Sequence, residues 1–473
     1  MKTIPVDSFP ARDETSLVAF LEHCREEART NGSPRFASIT IETEFVDPLA
    51  VLEAIREDGN PLWFVERPSE EFALACGEAT AYAEFSGPER FTEAKRFATD
   101  IFSRTIATGD LAPSGAGPTF TLSATFEEDG GGGDHPSPLT LFLPRWQVLR
   151  RGGRHFAVAN AEVSAESDLS SLAERIWAAH AKLVHLRDET ENGTSSSIPT
   201  RLSVRSEEPD YEDAVFKALE LLEGGTFAKI VLARKVTLEA DHPPSAFALA
   251  HRLRERFPDC HAFCLADHRP GILVGATPER LVRITNGFLE TEALAGTTAR
   301  GDTAGSDAKL GQALLGGEKE GREHRVVVDS ILRRLRELGL VDCEEGRSRL
   351  LRLSNLQHVR PPVRGRMPAN LHPLDVLGTL HPTPAMGGSP RGDALPHLHE
   401  LEGFSRGWYT GVVGWFDHAG NGEFVVPIRC GHLCEKEVTL YAGAGILKGS
   451  VPANEKRETD LKLRAMLDVL EGH

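Results

Sequence analysis

The chain has 473 residues, enough for one large enzyme domain or two to three average ones, and a composition 40% apolar and 26% charged argues against disorder. With 53 basic against 70 acidic residues the formal net charge is −17, which excludes a general attraction for nucleic acid or an anionic membrane, so an anionic ligand needs local cations. No run reaches membrane-spanning length, the N-terminus has no apolar leader core, and seven scattered cysteines make no disulfide framework; a cytoplasmic protein is expected.

Residues 14–30 have the spacing of an amphipathic helix, with Leu17, Phe20, Leu21 and Cys24 on one face. Segments 36–42 and 61–67 read as strands on either side of a helical stretch at 49–55, and 73–85, rich in Ala and Gly, reads as a tightly packed strand or turn. Residues 88–107 read as a helix, 119–126 and 139–150 as strands, and 168–186 as a further helix. Four consecutive glycines in 127–138 predict a mobile hairpin loop, and the Lys-Ser/Thr helix start of a phosphate cradle is missing. Segment 188–200, with Asn-Gly-Thr-Ser-Ser-Ser, is the linker candidate. Strands and helices mix on both sides of it, which predicts a surface crossing within one body.

Beyond it, 210–223 reads as a helix and 228–236 as a strand headed by Lys229. Such a lysine is either a solvated edge charge or, turned inward, a desolvated amine suited to proton abstraction. A hairpin at 262–274 is closed by Gly275-Ala-Thr-Pro-Glu-Arg280, which presents Glu279 between strands. Small residues end the strand at 292–300, either to admit a ligand close to the backbone or as a packed turn. A long amphipathic helix follows through Val326, Val327, Ile331 and Leu335, with Glu320 and Glu323 on one face; Glu455 and Glu458 repeat the spacing near the C-terminus. Like charges on one face repel, so each pair is either a solvated face or a set of oxygen ligands for a hard divalent ion such as magnesium.

His358 lies on a strand-like run at 351–359, and 381–390 is too rich in Pro and Gly for a helix or strand interior, so it is either a rigid loop shaping a pocket wall or a plain surface loop. Gly403-Phe-Ser-Arg-Gly407 matches the nucleophile-elbow spacing, but a helix at 396–402 precedes Ser405 and a strand at 409–416 follows it, the reverse of what the elbow needs. The pairs Cys260/Cys264 and Cys430/Cys434 lack the partners of a zinc site. Strands at 408–416, 423–430 and 438–446 and a last helix complete the chain. Arg429 and Lys462 are either ordinary ion-pair partners or cations of an anion site.

Eight segments in order resemble the chorismate-utilising enzymes: Lys-Ile-Val-Leu-Ala-Arg234, Ala-Thr-Pro-Glu-Arg280, Leu-Ala-Gly-Thr297, Arg-Glu-His324, His-Pro-Thr-Pro-Ala385, Pro-Ile-Arg429, Ala-Gly-Ala-Gly-Ile446 and Lys-Arg-Glu-Thr459. The resemblance covers 208–473 strongly and the first 200 residues loosely. It implies one large α+β domain of two stacked, mainly antiparallel sheets flanked by helices. Residues 1–200 would be the N-terminal portion of that fold and 208–473 the chorismate-binding catalytic portion. It also implies magnesium. Within the family, a lysine at position 229 argues for water rather than ammonia as nucleophile. The run His381 to Gly387, with Met386 in the aliphatic place, is most similar to the isochorismate synthases. The long N-terminal portion looks more like the menaquinone-pathway form than the siderophore form.

What the resemblance implies for single residues follows from these motifs. Glu323 and Glu458 would bind magnesium directly, with Glu320 and Glu455 holding its waters. Lys229 would take a proton from water attacking C2 of chorismate, and Glu279, protonated, would deliver one to the departing C4 hydroxyl. Arg429 and Tyr409 would hold the enolpyruvyl carboxylate, and Gly296, Thr297, His358, Ala385, Gly443 and Lys462 would complete the pocket. Glu320 stands where aspartate is usual and Met386 where leucine or valine is commoner. The alternatives are a siderophore-pathway isochorismate synthase, a salicylate synthase, or a protein that binds chorismate without converting it. The last is disfavoured because every proposed position holds a competent residue. The oligomeric state is open, with a monomer favoured.

Overall fold

The computed structural model describes residues 1–4, 14–130, 135–190, 199–292, 295–316, 318–346, 349–352, 356–360 and 362–472; within these, the side chains of 14, 181, 183–190, 295–297, 299, 318–324, 326, 349, 351, 352, 356 and 358–360 lie outside the description. Period-two alternation decides the layering. In the strand Leu62–Arg67 every residue is buried, and successive side chains leave opposite faces. Leu62 and Phe64 pack with Leu49 and Leu52 of the helix Pro48–Ile55 and with Phe247 and Leu253 of the helix Ala246–Arg256. Trp63 and Val65 instead join Phe72, Phe142, Phe156, Phe263, Val413 and Trp415, a core in which strand residues meet strand residues. That cluster is the interior between two stacked sheet layers.

A third core lies under the helices Arg90–Arg104, Tyr211–Glu223, Glu318–Glu337, Pro373–Leu380 and Arg391–Glu402. The architecture is therefore one large α+β domain, sheet on sheet with helices outside, as expected. Backbone pairing links 21 strands into one connected system. Its pairings are antiparallel among the described residues, except where Thr105–Thr108 runs parallel to Lys2–Ile4 and to Arg35–Thr43. A separate three-stranded sheet joins Ala295–Ala299, Leu356–Arg360 and Arg349–Arg352. The two portions of the chain share sheets: Leu62–Arg67 pairs with His261–Ala266, and Thr119–Ala124 with Val412–Asp417.

Some elements depart from the sequence reading, and one alternative is decided in favour of a strand. The helix expected to run to 107 stops at Arg104, where the Thr105 hydroxyl donates to the Ile101 carbonyl at 2.8 Å and the β-branched run Thr-Ile-Ala-Thr becomes a buried strand. Segment 73–85 is the fourteen-residue strand Phe72–Phe85. The strands Arg154–Val163 and Leu202–Glu208 and the helices Ala246–Arg256 and Pro373–Leu380 were not anticipated. Much of the linker candidate, 191–198, and glycines 131–133 of the glycine-rich loop lie outside the described residues.

Phe263 is fully buried between the layers. Phe263→Ala is expected to lower the free energy of unfolding by roughly 3–5 kcal/mol, read from the shift of a urea transition at unchanged slope.

Candidate active site

The site is built on the strand Lys229–Ala240, which pairs residue for residue with Glu437–Leu447 on one edge: Lys229 opposite Leu447, Ala233 opposite Gly443. At its head, Lys229 also pairs with Ser389 at the end of the Pro/Gly-rich loop. Lys229 is only 3% exposed, which removes the reading of a solvated edge charge.

Glu279 is fixed by a short hydrogen-bond circuit. Its backbone N–H donates to Thr277 Oγ1 at 3.1 Å, the Thr277 hydroxyl donates to the Val426 carbonyl at 2.6 Å, and the Val426 N–H returns to the Glu279 carbonyl at 3.0 Å. Burial pushes the Glu279 carboxyl up to about 7; the positive charges of Arg429, Lys229 and Lys462 pull back against it, and Glu292 adds to the rise. Arg429, Lys229, Lys462 and Glu292 therefore all lie close enough to act on the Glu279 carboxyl.

Arg429 is half-buried, and desolvation lowers its pKa against the opposing pull of Tyr409, Cys260, Glu458 and Glu279. Its backbone sits in the left-handed region at φ 51°, a position few non-glycine residues take, and its carbonyl accepts from the Ala276 N–H at 3.1 Å. Gly275 makes that approach feasible, since a Cβ there would lie 2.7 Å from the Arg429 oxygen. Tyr409 is stacked on Tyr441 with ring centroids 5.1 Å apart, and burial holds its hydroxyl protonated, well above the usual phenol range. A Cβ on Gly443 would lie 3.2 Å from the Tyr409 oxygen and 2.9 Å from the Leu232 carbonyl, so glycine is what lets the tyrosine reach the strand.

The helix Pro452–Glu471 presents Glu455, Glu458 and Lys462 along one face. Lys462 Nζ donates to the Gly443 carbonyl at 2.8 Å and to Glu458 Oε1 at 2.6 Å, while Glu455 is 6% exposed. These are carboxylate oxygens on consecutive turns, the hard donor set that magnesium favours. Glu320 and Glu323 lie on the helix Glu318–Glu337, but their side chains are outside the described residues. No described group of three or more His, Cys, Asp and Glu side chains forms a metal cluster.

The sequence pattern of the chorismate binding enzymes matches residues 19–471. The chain belongs to that family. Among relatives, the salicylate biosynthesis isochorismate synthase of Pseudomonas aeruginosa is 33% identical over 461 residues, 97% of this chain and 94% of that protein. The isochorismate synthase MenF of Bacillus subtilis is 29% identical over 464 residues, 95% and 96% of the two chains. The solved structure of MenF, the menaquinone-specific isochorismate synthase of Escherichia coli, superposes with a TM-score of 0.75 at 25% identity, over 95% of this chain and 99% of that one.

In this chorismate binding enzyme the structure brings together Lys229, Glu279, Arg429, Tyr409, Gly443, Glu458 and Lys462, with Ala385 half-buried on the loop that ends beside Lys229. Gly296, Thr297 and His358 are placed by backbone alone: Thr297 pairs with His358 across the small sheet, and the side chains of Thr297 and His358 are outside the description. Two contributors, Arg280 and Glu292, were not assigned from sequence. Arg280 donates to Glu423 at 2.7 Å, to Glu292 at 3.3 Å and to Glu70 at 2.9 Å, a network that holds Glu292, whose charge adds to the rise of Glu279. The sequence signal was the unusual Glu-Arg dipeptide ending an otherwise small, apolar turn.

A carboxyl whose folded value lies above its unfolded value contributes stability below about pH 4.5 that is lost as pH rises through about 7. Glu279→Gln, which cannot ionise, is therefore expected to match the parent near pH 4 and to exceed it above pH 8 by about 3 kcal/mol in denaturant titrations. Equal stability of the two at pH 8 would contradict a buried, raised Glu279. Gly443→Val is expected to unseat Tyr409, raising KM for an anionic substrate at least tenfold in initial-rate assays.

Proposed function

We propose that the chain is an isochorismate synthase, converting chorismate reversibly to isochorismate. One juxtaposition carries the reading: a buried amine, Lys229, and a buried carboxyl that keeps its proton up to about pH 7, Glu279, act on each other inside a site that also holds the Arg429 guanidinium. The names of the full-length relatives support it, since each is an isochorismate synthase.

In the forward direction Lys229 takes a proton from water as its oxygen bonds to C2, the ring double bonds shift, and Glu279 gives its proton to the C4 oxygen, which leaves as water. One water enters and one leaves, so the sum is an isomerisation. Arg429 and Tyr409 hold the enolpyruvyl carboxylate by a charge-assisted contact, which the net charge of −17 makes necessary. The backbone at Gly296 and Gly443, with Thr297, His358, Ala385 and Lys462, encloses the ring.

The reading includes magnesium, because the donor set on the C-terminal helix is made of carboxylate oxygens and one of the two, Glu455, is buried. Glu323 and Glu458 would hold the ion, and Glu320 and Glu455 its waters. When bound, it supplies positive charge against the ring carboxylate and draws electron density from the ring. We assign the product to menaquinone biosynthesis, supported by the likeness to two MenF proteins. A salicylate route has support of its own. The Pseudomonas relative spans 97% of the chain, so the long N-terminal portion does not separate the two.

Purified protein with chorismate and magnesium is expected to form isochorismate by chromatography, to stop with a chelator and to resume on adding magnesium. Salicylate plus pyruvate as the main product would move the chain to the salicylate synthases. Lys229→Gln is expected to lose about 100-fold or more in kcat; full turnover would remove the proposed base. Glu323→Gln and Glu458→Gln should each raise the magnesium concentration needed for half-maximal rate, and an unchanged requirement would count against these ligands.

A further inference from the structure

The Lys229–Ala240 strand has two edges. One is covered throughout by Glu437–Leu447. The other is covered in pieces: Gly388 and Ser389 pair with Ile230 and Lys229 at the head, and Leu202–Glu208 pairs with 235–240 at the tail. In the gap between these pieces the backbone groups still need partners. Two side chains supply them. Arg406 donates to the Val231 carbonyl at 2.6 Å, and Glu402 Oε1 accepts from the Ala233 N–H at 2.8 Å.

The same guanidinium reaches further. It donates to the Met386 carbonyl at 2.9 Å, to Thr410 Oγ1 at 3.2 Å and to both oxygens of Glu402, while its face lies 4.3 Å from the Phe126 ring centroid. Its own backbone N–H donates to Glu127 at 2.8 Å, and its carbonyl accepts from the Tyr409 N–H at 3.1 Å. Arg406 and Glu402 are 1% and 2% exposed in their side chains. One side chain thus touches the Lys229 strand, the loop that carries Ala385 and Met386, and the turn that carries Tyr409, where His381 Nε2 also lies 3.0 Å from the Thr410 carbonyl.

We propose that Arg406, held by Glu402, is a positioning residue that sets Lys229, Ala385 and Tyr409 at fixed distances from one another. The inference rests on the isochorismate synthase reading for what those three groups do. It also gives the Gly403–Gly407 segment a role in which the arginine matters and Ser405 does not. Only a guanidinium fits: its five N–H donors fan out in one plane toward acceptors on three segments, whereas a lysine ammonium offers three donors at one point. A clamp of this kind acts on the rate of the chemical step, because misplacing a base or acid by about 1 Å costs on the order of 100-fold.

The test compares Arg406→Lys, Glu402→Gln and the double variant Glu402→Gln/Arg406→Met, with kcat expressed per folded molecule as measured by near-ultraviolet circular dichroism. Positioning predicts that kcat falls about 100-fold in Arg406→Lys and about tenfold in the milder Glu402→Gln, with chorismate KM rising by a smaller factor than kcat falls, since Tyr409 shifts along with Lys229. The double variant, which removes both buried charges, should regain melting temperature relative to Arg406→Met alone without regaining kcat. Should kcat recover together with melting temperature, the pair is structural only and the proposal falls. A kcat within threefold of the parent in Glu402→Gln, or an effect confined to KM, overturns it equally. A parent protein that makes no isochorismate removes the reading beneath the inference, a result distinct from an active parent with indifferent variants.

Discussion

Eleven consecutive residue pairs join the Lys229–Ala240 strand to Glu437–Leu447, and the rest of the molecule depends on that ladder. Along its length the first strand serves three cores: Ile230 and Leu232 pack in one helical core and Val236, Leu238 and Ala240, further along the same face, in another, while Ala233 faces the space between the sheets. A one-residue slip would turn every one of those side chains to the wrong face. The apolar pattern thus fixes the register to within a residue, and the register in turn fixes where Lys229 and Gly443 stand. Packing energy far from the chemistry sets the distance between groups that carry it.

Inside that frame, charge is handled in two separate ways. The Arg280 cluster is densely paired: its guanidinium is shared among Glu423, Glu292 and Glu70, His261 Nε2 lies 3.2 Å from Glu423, and Glu423 is held well below the usual carboxylate range. Such a network locks ions in place. Glu279, one residue away in sequence, is deliberately different. Three cations attract it and burial still wins, so its proton is retained to near neutrality. Adjacent residues of one turn thereby supply a permanent ion and a titratable acid: a guanidinium stays charged wherever it lies, whereas a carboxyl is pushed toward its neutral form by burial.

Much of this was readable from sequence where local pattern and motif agreed. The long amphipathic helix at Glu318–Glu337, the strand headed by Lys229 and the turn presenting Glu279 all follow from periodicity plus turn residues. Thr105–Thr108 was lost because a helical pattern ran into it without a glycine or proline to mark the stop; the stop is a single hydroxyl bond from Thr105 to Ile101. The helices Ala246–Arg256 and Pro373–Leu380 are short, and their caps, Ser245 and a His372 side chain accepting from Leu374, are weak signals beside the proline-rich segments that precede them. Arg406 and Glu402 could not have been found by reading along the chain. They sit four apart in a segment whose obvious motif concerns a serine, and their partners lie about 170 residues upstream and 20 residues away in the loop.

The position of Glu279 near neutrality bears on direction. A catalyst speeds both senses of a two-way reaction by the same factor, so the acid's protonation sets only which form of the protein each sense starts from. A carboxyl at about 7 is occupied about half the time at that pH, so donation to a leaving oxygen and abstraction from an incoming water begin from comparable populations. For an interconversion of two isomers, one residue thereby serves as acid in one sense and as base in the other. The net flow is then set by whichever enzyme withdraws the product, and the fold itself holds no ratchet.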